Sequence, residues 1–114
     1  MNNLKNSVHL IGHLGKDPEI RTFEDGRKLA KLTIATKDSY KNSNGDKVIE
    51  TQWHNLLAWG KTAELMEKIL SKGNEVAVQG KLTHRTYEDK EGTVRNFTEI
   101  VVNEFMKIGI AARA

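Results

Sequence analysis

Residues 51–60 read TQWHNLLAWG and hold both tryptophans of a 114-residue chain. In an extended strand Trp53, Asn55, Leu57 and Trp59 share one parity, hence one face of a sheet. His54, Leu56 and Ala58 take the opposite face, where Leu56 and Ala58 can serve a core. A face of Trp, Asn, Leu and Trp is too apolar to be simply solvated. It packs on a protein surface, or it receives something flat. Tyr40 stands in the polar stretch DSYKNSNGDK, 38–47, and Tyr87 beside the turn at 88–92. Neither has apolar neighbours that would carry it inward. Lys37, Lys41, Lys61, Lys72, Lys81 and Arg85 are interleaved with these rings. Rings on which bases stack, flanked by cations that track phosphates, compose a single-strand nucleic-acid surface. Taken singly, Trp53 or Trp59 could plug a barrel end or a subunit contact. Taken with Tyr40 and Tyr87, that reading weakens.

Catalytic chemistry finds no foothold. Gly60-Lys61-Thr62 resembles the end of a phosphate-binding loop, but that loop needs glycine where Asn55 stands. His9 and His13 have the spacing of helical metal ligands. In a strand, four residues span roughly 13 Å, too far to share one ion. These histidines are expected to be partly buried or at an interface. Glu88, Asp89 and Glu91 read as a solvated turn, and Lys28 as merely solubilising. No nucleophile, base and orienting group can be argued into one cluster. No enzyme, metal or cofactor is expected.

The elements that must position the rings follow from periodicity. SVHLIGHLG, 7–15, alternates with Val8, Leu10, Gly12 and Leu14 on one side, so it is a strand. Pro18 interrupts, and a short strand follows near Ile20–Phe23. Asp25-Gly26 suits a tight hairpin turn. Residues 28–37 alternate again, with Ala30, Leu32, Ile34 and Thr36 inward. A polar loop is expected at 38–47, then a third long strand at 48–59. In KTAELMEKILSKG the period changes, placing Leu65, Met66, Ile69 and Leu70 on one helical face with Gly73 as the C-terminal cap. Strands return at 75–87, with Val76, Val78, Gly80 and Leu82 on one side, and at 93–108, with Ile100 and Val102 inward. Three long strands, a helix and two strands is the order of an OB-fold, an all-β, five-stranded Greek-key barrel with one α-helix between its third and fourth strands. Gly12 and Gly80 suit places where a barrel strand bends. An SH3-like barrel or an α+β sheet would accept the same strands.

Composition sets the frame. The chain is 38% hydrophobic and 29% charged with a formal net charge of +3, which suits a polar domain with an anionic partner. At 114 residues one domain is expected, 1–110, with 111–114 beginning a tail or ending the chain. There is no cysteine, so disulfides and thiolate metal sites are excluded. No apolar run reaches membrane-spanning length and no signal-peptide core follows Met1, so a cytoplasmic location is expected.

Five stretches carry a resemblance: VHLIGHLGKDPEIR (8–21), LAKLTIAT (29–36), TQWHNLLAWGKTAE (51–64), LSKGNEVAVQGKL (70–82) and TEIVVN (98–103). Over about 6–108 the chain resembles the bacterial single-stranded DNA-binding proteins, homotetrameric OB-fold proteins of replication, recombination and repair. The resemblance implies stacking aromatics at Tyr40, Trp53, Trp59 and Tyr87, the four already singled out. It implies phosphate contacts at Lys61, Lys72 and Arg85, and at Arg21. It implies a dimer made through the first strand, around Val8, His9 and Leu10, with His54 near a subunit interface, and a nucleoid-associated location. Asn55 stands where relatives often carry a DNA-contacting arginine, and Thr83 and Thr86 replace frequently basic positions. Fewer cations imply a shallower salt dependence. Such proteins usually continue into a disordered tail with an acidic tip that recruits replication and repair proteins. Recruitment here depends on a tail beyond Ala114. The competing expectation is a primosome-type OB-fold adaptor acting mainly through protein partners.

Overall fold

The computed structural model describes residues 5–108. The expected tail, 111–114, and the domain ends 1–4 and 109–110 lie outside the described residues. The elements are β1 (Val8–Leu14), β2 (Glu19–Thr22), β3 (Lys28–Lys41), β4 (Lys47–Trp59), α1 (Gly60–Ile69), β5 (Glu75–Glu88) and β6 (Val94–Ile108). The five long strands close on themselves. β1 pairs with β5, β5 with β6, β6 runs parallel to β4, β4 pairs with β3, and β3 returns to β1. β2 is a short addition on β3. Counted in long strands, α1 falls between the third and fourth, and the closed barrel is that of an OB-fold.

Alternation builds the interior. Leu14, Leu32, Ile34, Leu56, Ala58, Val76, Val78, Ile100 and Val102 are buried in one cluster. Burying each of the larger side chains contributes roughly 1.5–3 kcal/mol. α1 adds Ala63 and Met66 to this cluster, and Leu70, which caps its C-terminus, joins them. Leu65 and Ile69, expected on the same face, are exposed. The inward stripe follows i, i+3 and i+7 from Ala63, whose small side chain suits close packing against β3. Periodicity weighted by hydrophobicity passed over Ala63 for its larger neighbours. α1 ends at Ile69, and Gly73 serves the next turn instead, with φ +89° and its N–H donating to the Leu14 carbonyl. Lys28 does more than solubilise. Its Nζ lies 3.0 Å from Glu67 Oε1, tying β3 to α1, and that hydrogen bond raises the lysine pKa.

Gly12 and Gly80 mark close backbone crossings. A Cβ on Gly12 would meet the Ala35 carbonyl, and one on Gly80 the Val101 carbonyl. The β5–β6 register shifts between Gln79 and Gly80, as expected of a bending strand.

The polar stretch 38–47 is half strand, and only 42–46 form the turn. β3 and β4 stay paired out to Tyr40↔Val48 and Lys41↔Lys47. Asn42 Oδ1 accepts the N–H groups of Asn44 and Asp46 at 2.9 and 3.1 Å, and Gly45 supplies φ +86°. The arm formed by β5 and β6 ends in the same way. Asp89 Oδ1 accepts the N–H groups of Glu91 and Thr93 at 2.9 Å, and Gly92 supplies φ +83°.

Candidate nucleic-acid interface

Trp53 sits on β4 opposite Ala35. Its six-membered ring lies across Gly15, so an ideal Cβ on that glycine would stand 2.7 Å from Cζ3 and 3.0 Å from Cη2. Gly15 is itself fixed by its N–H donating to the Thr33 carbonyl at 3.1 Å. The indole is nevertheless 60% exposed. It is seated from below and open above, the geometry a stacking platform requires. Beside it runs an open groove of about 360 Å³, lined by Trp53, His54 and Asn55 on β4 and by Asn96 to Ile100 on β6.

Arg85 reaches this region from β5, where it is opposite Phe97. Its Nε stands 2.8 Å from Glu99 Oε1 in an ion pair, and its Cζ stands 5.6 Å from the Phe97 ring centroid. Glu99 is 4% exposed while the Arg85 side chain is 60% exposed. The carboxylate is therefore inside the wall and the guanidinium outside it. An exposed arginine restrained by a buried partner presents its remaining N–H donors in a fixed fork.

Trp59 closes β4 at the other end of the run. It is partly exposed and stacks on Phe23, with ring centroids 5.9 Å apart and planes at 20°. Arg21, on β2, stands over the Phe23 ring at 5.2 Å. Arg27 stands over both rings, at 5.5 Å from Phe23 and 5.4 Å from Trp59. Asp25 holds Arg27, Nε to Oδ2 at 2.9 Å. The Arg27 backbone N–H is the main cause of a lowered Asp25 pKa, with the guanidinium adding to it.

Tyr40 and Tyr87 lie on separate arms, each about half exposed and neither stacked on another ring among the described residues. Lys61 follows Trp59 by two positions, exposed in the first turn of α1. Lys72 is exposed in the loop after α1, and its backbone N–H donates to Asp17 Oδ1 at 2.7 Å, which fastens that loop to the β1–β2 turn. Asn55 is exposed opposite Thr33. The structure thus gathers Trp53 and Asn55 on one groove, with Arg85 held against its lining residues Phe97 and Glu99, and places Trp59 with Arg21 near the β2–β3 turn. It leaves Tyr40, Tyr87 and Lys72 on separate projections.

The oligomer candidates divide. Val8, His9 and Leu10 pair with β5, while β1 meets β3 only at His13 and Leu14. The other backbone edge of Val8–Ile11 is unpaired among the described residues. An apolar hollow of about 630 Å³ adjoins it, lined by His9, Leu10, Ile11, Val78, Phe105 and Met106 among others, with Ile11 and Met106 exposed. His54 lies elsewhere, on β4 beside Trp53, with Nε2 2.9 Å from Thr36 Oγ1. His9 and His13 are exposed in the single chain, which leaves the interface half of the expectation for them. Among the described residues no group of three or more His, Cys, Asp or Glu could hold a metal ion.

Phe23, Arg27, Phe97 and Glu99 were not singled out from the sequence. Phe23 offered the same signal as Tyr40, a ring in a charged turn. Glu99 offered none, because a glutamate alternating with Ile100 looks solvated until β5 covers it.

A closed barrel with one helix, displaying exposed rings beside cations, defines the oligonucleotide-binding class of OB-folds. Residues 5–108 match the "Single-strand binding protein family". Similar relatives include "Single-stranded DNA-binding protein 1" of Chlorobaculum tepidum, 40% identical over 91% of this chain and 65% of the relative. The protein of the same name from Xylella fastidiosa is 39% identical over 91% of this chain and 77% of the relative. Among solved structures, a Plasmodium falciparum SSB complex with ssDNA superposes with TM-score 0.85 at 27% identity, covering 91% of this chain and 95% of that one. A deletion mutant of the Thermus aquaticus single-stranded DNA-binding protein superposes with TM-score 0.80 at 24% identity over 91% of this chain and 50% of that one, a likeness of fold. The chain belongs to the single-strand binding protein family, and it spans about two thirds of the length of the Chlorobaculum relative.

Proposed function

We propose that this chain binds single-stranded DNA without sequence preference and protects it during replication, recombination and repair. The observation that carries the reading is Trp53, a ring backed by Gly15 yet 60% exposed beside a groove with Asn55 and the Arg85 guanidinium close by. Bases stack on Trp53, Trp59, Tyr40 and Tyr87, each stacked base contributing roughly 1–3 kcal/mol. Lys61, Lys72, Arg85 and Arg21 take phosphates, and Asn55 makes a neutral contact. Binding is sequence-tolerant because every base has a π-face. The protein acts as a binder and not as an enzyme.

The working assembly is a homotetramer. The unpaired edge of Val8–Ile11 and the apolar hollow beside it support pairing of β1 with its copy in a second subunit. The site of action is the cytoplasm, at the nucleoid. No described helix is long and apolar enough to cross a membrane. Replication and repair proteins are recruited through a C-terminal tail where one extends beyond Ala114.

Titration with oligo-dT of increasing length, read by tryptophan emission, tests the reading. Quenching that weakens with salt is expected. Unchanged emission at low salt sinks it. Light scattering should give a mass near four chains.

A further inference from the structure

The turn FEDGR, 23–27, is built to bring two side chains back over β4. Phe23 N–H donates to the Arg27 carbonyl at 2.8 Å, Gly26 N–H donates to the Phe23 carbonyl at 2.9 Å, and Gly26 adopts φ +91°. That closure sets Phe23 behind Trp59 and Arg27 over both rings. Only Nε of the Arg27 guanidinium is engaged, by Asp25 Oδ2. Its terminal nitrogens have no partner among the described residues. An exposed tryptophan on a strand end would otherwise sample several rotamers, so a stacked neighbour and an overlying guanidinium fix the ring before any ligand arrives. Ordering in advance lowers the entropic cost of binding. A core role alone does not explain the cluster, since Trp59 and Arg27 remain exposed and neither joins the buried interior.

We propose that the β2–β3 turn completes the Trp59 stacking position already assigned: Phe23 positions the indole, and the Arg27 guanidinium receives the phosphate beside the base that stacks there. This deepens the single-strand reading and rests on it. Arg21, 5.2 Å from the Phe23 ring centroid, supplies a second cation to the path. Phe23 is a positioning residue, and Arg27 is a direct contact.

The test uses the full chain and oligo-dT, with affinity measured across a salt series for the unchanged protein, Phe23→Leu, Phe23→Tyr, Arg27→Ala and Arg27→Lys. Phe23→Leu should weaken binding about two- to tenfold, the worth of one aromatic pair, and Phe23→Tyr should restore it. Arg27→Ala should lower the slope of log K against log salt by about 1, and Arg27→Lys should keep it. A phenylalanine that merely packs would tolerate leucine and tyrosine alike. An arginine that only braces the rings would leave the slope unchanged. If the unchanged protein binds and all four variants match it in affinity and slope, the turn has no such part and the wider reading survives. If the unchanged protein itself fails to bind, the wider reading falls first and takes the turn's part with it.

Discussion

The indole of Trp53 fills the place where a side chain of Gly15 would stand, with Cζ3 2.7 Å from the ideal Cβ. Gly15 is therefore a seat for the ring. Gly15→Ala must push Trp53 aside, and the ring can yield because it is 60% exposed. Thermal stability should change little, while oligo-dT affinity should fall by about 1 kcal/mol or more, toward the cost of Trp53→Ala, roughly 1–3 kcal/mol. Fluorescence titration beside a thermal melt separates the effects. Equal affinity for Gly15→Ala and the unchanged protein would show that the seat is not needed.

The Arg85–Glu99 pair sets a competition. A phosphate must draw the guanidinium from a buried carboxylate 2.8 Å away. Glu99→Gln removes that charge and leaves an arginine that is solvated, so the usual penalty for orphaning a buried ion is absent. Tighter binding is expected, with a salt slope steeper by about 1 as Arg85 becomes a full phosphate contact. Weaker binding would mean instead that Glu99 orients Arg85 for the strand.

Gly80 tests the barrel. Its Cβ would run into the Val101 carbonyl, which is backbone inside a closed sheet and cannot swing away. Gly80→Ala should destabilise by about 1–3 kcal/mol or more, as overpacking does. The midpoint of urea unfolding should drop. Gly15→Ala, whose neighbour is an exposed side chain, is the control that should not drop with it.

How much was legible follows from where solvent lies. The strands that line the interior alternate cleanly because one face is wet and the other dry, so Leu32, Ile34, Val76 and Val78 announced themselves. The outer halves of β3 and β4 do not alternate, because both faces of that arm are wet. Their polarity therefore predicts a loop at Tyr40, although it is paired with Val48. α1 misled for the opposite reason: Ala63 packs inward because it is small, a preference that a hydrophobicity period underweights. The rings at 40, 53, 59 and 87 were visible as exposed aromatics. Their seats and braces, Gly15, Phe23, Phe97 and Glu99, come from strands distant in sequence, and only closure of the barrel brings them there.

The two arm turns offer a titration with a built-in control. Asn42 and Asp89 hold equivalent places, each accepting from the N–H groups two and four residues ahead. Only Asp89 is ionisable. The Thr93 N–H, followed by the Arg95 side chain, lowers its pKa from the ordinary 3.8. A carboxyl with a depressed folded-state pKa contributes stability that is present above its unfolded value and lost as pH falls through the folded one. Acid should therefore loosen the β5–β6 turn, beside Tyr87, while the β3–β4 turn, held by an amide, keeps its protection. Amide exchange at Glu91 and Thr93, compared with Asn44 and Asp46 as pH is lowered past 3.8, reads this directly. Asp89→Asn should make the two turns respond alike. Equal loosening of both turns in the unchanged protein would show that acid acts on the barrel as a whole and that Asp89 is not its point of entry.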